Sequence, residues 1–195
     1  MKRRLFLAIV ILLPLLTVSK AKGDDVTVRW DLIHLTFPSG IPNVAAGGID
    51  SASAQDSSKI TLTGSGTFKL GDEGEVTGGG TWNTHSPSGT PTGSGTYVVT
   101  RLIKFDLAPG SLPPVIVDHI GNIANTHSGL AFFRIRYSDG SGGVLVVSCN
   151  TTGVPASVFE GITVSKGYVD YWNHENAVPG VDAGRTLFHI TGSED

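Results

Sequence analysis

Between positions 60 and 70, apolar residues and glycines alternate with polar residues without a break. Ile60, Leu62, Gly64, Gly66, Phe68 and Leu70 fall on one face, and Thr61, Thr63, Ser65, Thr67 and Lys69 on the other. A period of two marks a strand with one buried face. Similar short runs, separated by turn residues, predict strands over 26–37, 60–70, 76–83, 94–105, 130–137, 143–149, 162–172 and 186–190. The Gly-, Ala- and Ser-rich stretch 38–58 reads as a loop, 108–114 as a Pro-rich break, and 173–185 as a long polar loop. Tyr137-Ser138-Asp139-Gly140-Ser141-Gly142-Gly143 reads as a hairpin turn between two buried strands. Helical periodicity is nearly absent. The pattern predicts an all-β fold, a single antiparallel β-barrel or β-sandwich of about eight strands, occupying 24–195 as one domain.

An internal repeat refines this. Gly64-Ser65-Gly66-Thr67-Phe68, Gly78-Gly79-Gly80-Thr81-Trp82 and Gly93-Ser94-Gly95-Thr96-Tyr97 share a Gly-x-Gly-Thr-aromatic form at spacings of 14 and 15 residues. Such spacing suits three successive antiparallel strands. Closing the first hairpin around 71–75 pairs Leu70 with Val76, Phe68 with Gly78 and Trp82 with Gly64. The second hairpin pairs Trp82 with Gly93 and Tyr97 with Gly78. Each aromatic is then expected across from a glycine, with all three on one face. Glycine inside a strand costs stability and needs a reason. Either the strands bend sharply there, or the gaps leave space for a ligand against Phe68, Trp82 and Tyr97; aromatic filling alone needs no ligand.

The segments Thr63-Gly64-Ser65-Gly66-Thr67-Phe68 and Thr92-Gly93-Ser94-Gly95-Thr96-Tyr97 resemble the Gly-rich strand of allene oxide cyclase and dirigent-type barrels. Gly80-Thr81-Trp82-Asn83, followed by Thr92-Gly93 and Gly95-Thr96-Tyr97, resembles the opening hairpin of avidin-type barrels. The resemblance implies a small antiparallel barrel, of a kind that encloses apolar ligands. It covers 20 to 40 residues and carries no activity, because no catalytic or ligand residue of those families matches position by position. Besides Trp82 the chain has Trp30 and Trp172, neither in an avidin-type motif, so biotin is not expected.

The N-terminus adds a location. Lys2, Arg3 and Arg4 precede an apolar run from Leu5 to Leu16, and small residues follow at Ser19, Ala21 and Gly23. This is the form of a secretory signal peptide, here 1–23, cleaved after Gly23 or alternatively after Ala21. A retained anchor is the other reading, although the run falls short of the about 20 apolar residues a span needs. Loss of 1–23 would remove five basic residues and no acidic one, moving the net charge from −3 to −8. A surface this acidic repels phosphate backbones, so no nucleic-acid partner is expected, nor a membrane span after signal cleavage. The expected location is secreted or periplasmic. Cys149 is the single cysteine, which excludes an intramolecular disulfide and reads as a buried, inert thiol.

Candidate chemistry is sparse. Asp170, Trp172, Asn173, His174, Glu175, Asp182, Arg185 and His189 form the densest polar cluster. His174 beside Glu175 could act as an oriented base, Arg185 could hold an anion, and Trp172 could stack on a sugar face. A solvated loop accounts for the same residues. Asp118, His119 and His127 are zinc-type ligands without a metal spacing, and the acidic segment 71–75 lacks the spacing of a calcium loop. No metal or other cofactor is expected. The leading function is a non-catalytic binding domain for a small apolar ligand or a glycan, with Phe68, Trp82, Tyr97, Trp172, His174, Glu175 and Arg185 as candidate ligand-binding residues. The alternatives are a cyclase- or isomerase-like barrel enzyme and a structural or protein-contacting surface protein.

Overall fold

The computed structural model of the chain describes residues 26–70, 72–175 and 184–192; the expected signal segment at 1–23 lies outside them. Strands form in the order β1 (Thr27–Thr36), β2 (Asn43–Ala46), β3 (Ile49–Ser53), β4 (Lys59–Thr63), β5 (Ser65–Lys69), β6 (Asp72–Val76), β7 (Gly79–His85), β8 (Pro91–Ala108), β9 (Val117–Asp118), β10 (Thr126–Tyr137), β11 (Gly142–Cys149), β12 (Gly161–Lys166), β13 (Val169–Tyr171), β14 (Asn173–His174) and β15 (Thr186–Thr191). Short 3₁₀ turns lie at Pro38–Gly40 and Ile123–Asn125. No helix among the described residues is long and apolar enough to cross a membrane.

Six strands close a barrel. β1 pairs β5, β5 meets β7, β7 pairs β8, β8 pairs β10, β10 pairs β15, and β15 returns to β1, all antiparallel. The remaining strands widen one end. β4 continues the line of β5 beyond Gly64 and carries β3 and then β14. β11, β12 and β13 extend from β10 on the opposite flank. β13 and β14, the two ends of this sheet path, are joined in sequence by Trp172 alone. The wide end is therefore closed by a one-residue crossover.

The alternation seen in the sequence is the alternation of the barrel wall. Ile60, Leu62 and Phe68 are buried. On the outer face hydroxyl pairs run across the strands, Ser51 with Thr61 at 2.7 Å, Thr63 with Thr81 at 2.8 Å and Thr67 with Thr77 at 2.8 Å. Inside, the rings form a connected column. Trp30 packs on Phe133 at 5.2 Å, Phe133 on Phe68 at 5.7 Å, Phe68 on Phe105 at 5.1 Å and Phe105 on Phe188 at 5.2 Å. Tyr137 touches both Trp82, at 5.8 Å, and Tyr97, at 6.2 Å.

Phe68, Trp82 and Tyr97 share the buried face as expected, but the register differs by two residues. Phe68 faces Val76, Trp82 faces Leu62 and Gly95, and Tyr97 faces Gly80. A shift of two preserves the face, because side chains repeat with that period. The residue across from Gly66 is Trp30. Its ring also explains the glycines. A methyl group at Gly66 would lie 2.3 Å from the Thr77 carbonyl oxygen and 2.8 Å from Trp30 Nε1; one at Gly64 would lie 2.1 Å from the Tyr97 hydroxyl oxygen.

Three further corrections concern the strands. The stretch 38–58 holds β2 and β3 rather than a plain loop, because Val44 and Ala52 supply buried positions in a polar sequence. The run 162–172 is a hairpin, turning at Gly167, whose φ is +59°. The described residues hold fifteen strands rather than about eight: breaks at Gly64 and Gly167 divide two expected strands, β2 and β3 lie within 38–58, β6 takes most of the expected turn at 71–75, and β9 and β14 form in expected connections. Most of the expected polar loop at 173–185, including Asp182, lies outside the described residues.

The glycine argument predicts that Gly66→Ala and Gly80→Ala each cost about 3 kcal/mol or more and lower Tm by roughly 6–12 °C. A new methyl at Gly142 would meet nothing closer than the Ile135 carbonyl oxygen at 3.9 Å, so Gly142→Ala should stay within about 0.5 kcal/mol. Thermal unfolding followed by circular dichroism checks the contrast, and equal shifts for all three variants would remove crowding as the cause.

Candidate functional site

The seven sequence-derived candidates separate into an interior set and a rim set. Phe68, Trp82 and Tyr97 are buried wall-to-wall contacts. Trp82 Nε1 donates to the Thr96 carbonyl at 3.1 Å, and the Tyr97 hydroxyl to the Thr63 carbonyl at 2.9 Å. Both polar ends are thus satisfied by backbone, as buried aromatics require.

The rim of the wide end is different. Lys166 and Val169 pair at the end of the β12–β13 hairpin, leaving Gly167 and Tyr168 as its two-residue turn. The tight turn turns the Tyr168 ring fully outward, at 101 % of its reference exposure, and Trp172 at the crossover is 55 % exposed. These two rings line one open groove of about 440 Å³, with Gln55, Asp56, Ser58 and Asp170 as its polar members. On its other side Tyr168 borders a second groove of about 290 Å³, floored by Trp82 and Tyr171 with Thr84, Thr92, Asp139 and Lys166. There the Lys166 ammonium sits 4.3 Å from the Trp82 ring centre and 5.0 Å from that of Tyr137, paired with Asp139. That ion pair, with two hydrogen bonds from Ser141, holds the Asp139 carboxyl down to about 2. Lys166 is thereby fixed against the aromatic floor.

His174, Glu175 and Arg185 do not join this groove. The His174 ring stacks on Phe159 at 4.6 Å, and Glu175 pairs with Lys59 across β3 and β4. Arg185 accepts the Ile33 amide through its carbonyl, while its buried Nε has no hydrogen-bond partner among the described residues. Its charge acts on Glu160. The Glu160 carboxyl bridges two strands, accepting the Thr186 amide at 2.7 Å and the Asn150 amide at 2.5 Å, and burial pushes its pKa up to about 7 against these bonds. Asp50, wholly buried, accepts the Ser51 amide through Oδ1, while Oδ2 has no hydrogen-bond partner among the described residues. Burial, and then the neighbouring Glu160 and Glu175, raise its pKa well above the usual carboxylate range. Asp50 lies against Gly161 where β3 approaches β12, so this carboxyl pair sits behind the closure of the wide end.

The histidines disperse. Asp118 bonds His189 at 2.7 Å, His119 bonds Asn43 at 2.8 Å, and His127 is held below its ordinary pKa by burial and by His189. No three metal-ligating side chains converge among the described residues. Glu75 pairs with Lys69 at 2.8 Å. Cys149 is buried, its thiol donating to the Thr186 carbonyl at 3.3 Å, and burial pushes its pKa up.

No protein-family model, curated protein or solved structure matches the chain. The site is therefore read from its own chemistry. An unbroken strand over 162–172 and a loop over 38–58 give no reason to single out Tyr168, Asp56, Gln55 and Lys166, which only the hairpin and the β3–β4 turn bring to the rim. The signal for Lys166 and Tyr168 is Lys166-Gly167-Tyr168, a glycine that can turn the chain within a strand-like run. Asp50 and Glu160 gave no signal, because burial of an isolated acid is set by tertiary packing.

The raised Glu160 pKa has a defined consequence. The folded state holds this proton more tightly than the unfolded chain, so its contribution to stability is greatest below the ordinary glutamate range and declines as pH rises to about 7. The Tm difference between the parent chain and Glu160→Gln should therefore drift against the parent between about pH 4.5 and 7, and then level off. Asp50→Asn should show a drift of the same sign. Differential scanning calorimetry across pH checks this, and a difference constant with pH would exclude a raised Glu160.

Proposed function

We propose that the chain works outside the cytoplasm as a non-catalytic carbohydrate-binding β-barrel, its ligand lying across Tyr168 and Trp172 at the wide end. The observation that carries this reading is the exposure of the two rings on one groove. Neither contributes to the core, and a fully exposed tyrosine at a hairpin turn has no packing role. Flat rings offer apolar faces to the C–H side of a pyranose, and the flanking amide, hydroxyl and carboxylate groups match its hydroxyls. The adjoining groove extends the surface past Tyr168 with further threonine hydroxyls, room for more than one sugar unit.

The filled interior supports a glycan over an enclosed apolar ligand. A small molecule inside the barrel, the mode that the cyclase and dirigent resemblance implies, would have to displace Trp30, Phe68 or Phe133, each buried and in ring contact. The acidic charge expected after signal removal agrees with a neutral or cationic ligand rather than an anionic one.

Isothermal titration with glucan, mannan and N-acetylglucosamine hexasaccharides tests the proposal. At least one series is expected to bind, with Trp172→Ala and Tyr168→Ala each weakening it about tenfold or more. Phe68→Leu should lower Tm and leave the affinity unchanged. Loss of affinity in Phe68→Leu with none in Trp172→Ala would move the site to the interior, and no heat from any series or from the de-N-acetylated hexasaccharide would end the carbohydrate reading.

A further inference from the structure

The charge of the Tyr168–Trp172 groove narrows the ligand class. Asp56 and Asp170 are both exposed members of it, and no lysine, arginine or histidine among the described residues lines it. Neither carboxylate forms an ion pair among the described residues. Other surface acids are matched by a cation: Glu175 by Lys59, Glu75 by Lys69, Asp106 by Lys104 and Asp139 by Lys166. Asp56 is also positioned. Its Oδ1 accepts the Ser58 amide at 2.9 Å within the β3–β4 turn, which fixes the carboxylate at the groove. The groove thus combines two aromatic faces with two uncompensated negative charges, and both features attract a cation.

Resting on the carbohydrate reading, we infer that the groove is selective for amino sugars carrying a free ammonium group, as in a β-linked polyglucosamine chain. The pyranose ring supplies the C–H face for Trp172 and Tyr168. The ammonium at its 2-position supplies the charge that Asp56 and Asp170 lack, and an N-acetyl group in its place would give up both ion pairs. The neighbouring groove does not share this preference, because Asp139 there is already neutralised by Lys166. Selectivity therefore resides in the units that lie between Tyr168 and Trp172.

The test compares the glucosamine hexasaccharide with its fully N-acetylated counterpart by calorimetry near about pH 6, at low salt and at about 0.15 M salt. The free amine form should bind about tenfold more tightly at low salt. The advantage should shrink with added salt and disappear in an Asp56→Asn, Asp170→Asn double variant whose Tm is unchanged. Equal binding of the two forms would overturn the ammonium inference and leave the carbohydrate reading standing. Absence of binding by either form and by the neutral hexasaccharides would overturn both. Hexalysine binding as tightly as hexaglucosamine, with the same loss in the double variant, would show that the groove reads charge without a sugar ring and would also overturn the inference.

Discussion

The structure depends on filling a six-stranded barrel without splitting it. So narrow a ring leaves little interior, and this chain puts a tryptophan there, Trp30, packed on Phe133 and Phe68. The wall beside β1 must then be thin. Gly64, Gly66 and Gly78 supply that thinness: a side chain at any of the three would come within about 3 Å of Trp30 or of neighbouring backbone. The intrinsic cost of glycine in a strand is offset by the burial of a large ring against bare backbone. The Gly-x-Gly-Thr-aromatic repeat expresses this rule. Glycines admit the rings of other strands, the threonine faces outward into hydroxyl pairs, and the aromatic fills the space that glycines elsewhere have opened.

This is why the face was legible in the sequence and the partners were not. Alternation fixes which way Phe68, Trp82 and Tyr97 point, since a strand has two faces and one is buried. It does not fix which glycine each ring covers. Registers two residues apart satisfy the same alternation, and the choice between them depends on long-range packing. Trp30 lies in β1, more than 30 positions from Gly64 and Gly66, and nothing local ties it to them. The hidden hairpin at Gly167 has a similar cause. Ile162, Val164, Tyr168 and Tyr171 satisfy strand propensity whether or not the chain turns, so a single glycine in a favourable run gave a weak signal. Asp50 and Glu160 lie further from reach, since tertiary packing alone buries the first and half-buries the second.

Closure of the wide end links this architecture to the rim. The sheet path runs from β13 through the barrel wall to β14, and Trp172 alone joins its two ends. A one-residue crossover cannot bury its own side chain on both flanks, so Trp172 stays half in solvent. The two-residue turn of the β12–β13 hairpin likewise has no inner face to offer Tyr168. Two large apolar rings thus remain outside as a consequence of topology. Behind them the closure is secured by polar groups, with the Lys166–Asp139 pair on the aromatic floor and the Glu160 carboxyl across β11 and β15. The groove therefore rests on a support fixed by charge and backbone hydrogen bonds.

That support bears on where a ligand is cheapest to bind. Opening the interior would mean moving a buried aromatic, and loss of such packing costs about 3–5 kcal/mol before any contact to a ligand is made. Binding at the rim displaces water and no side chain of the core. The rings there are already exposed, the hairpin that carries Tyr168 is anchored through Lys166, and Asp56 is oriented by the Ser58 amide. Preorganisation of this kind lowers the ordering cost that weakens shallow sites. A ligand in the interior would have to open the ring contacts of Trp30, Phe68 and Phe133, whereas the rim offers its rings without that cost.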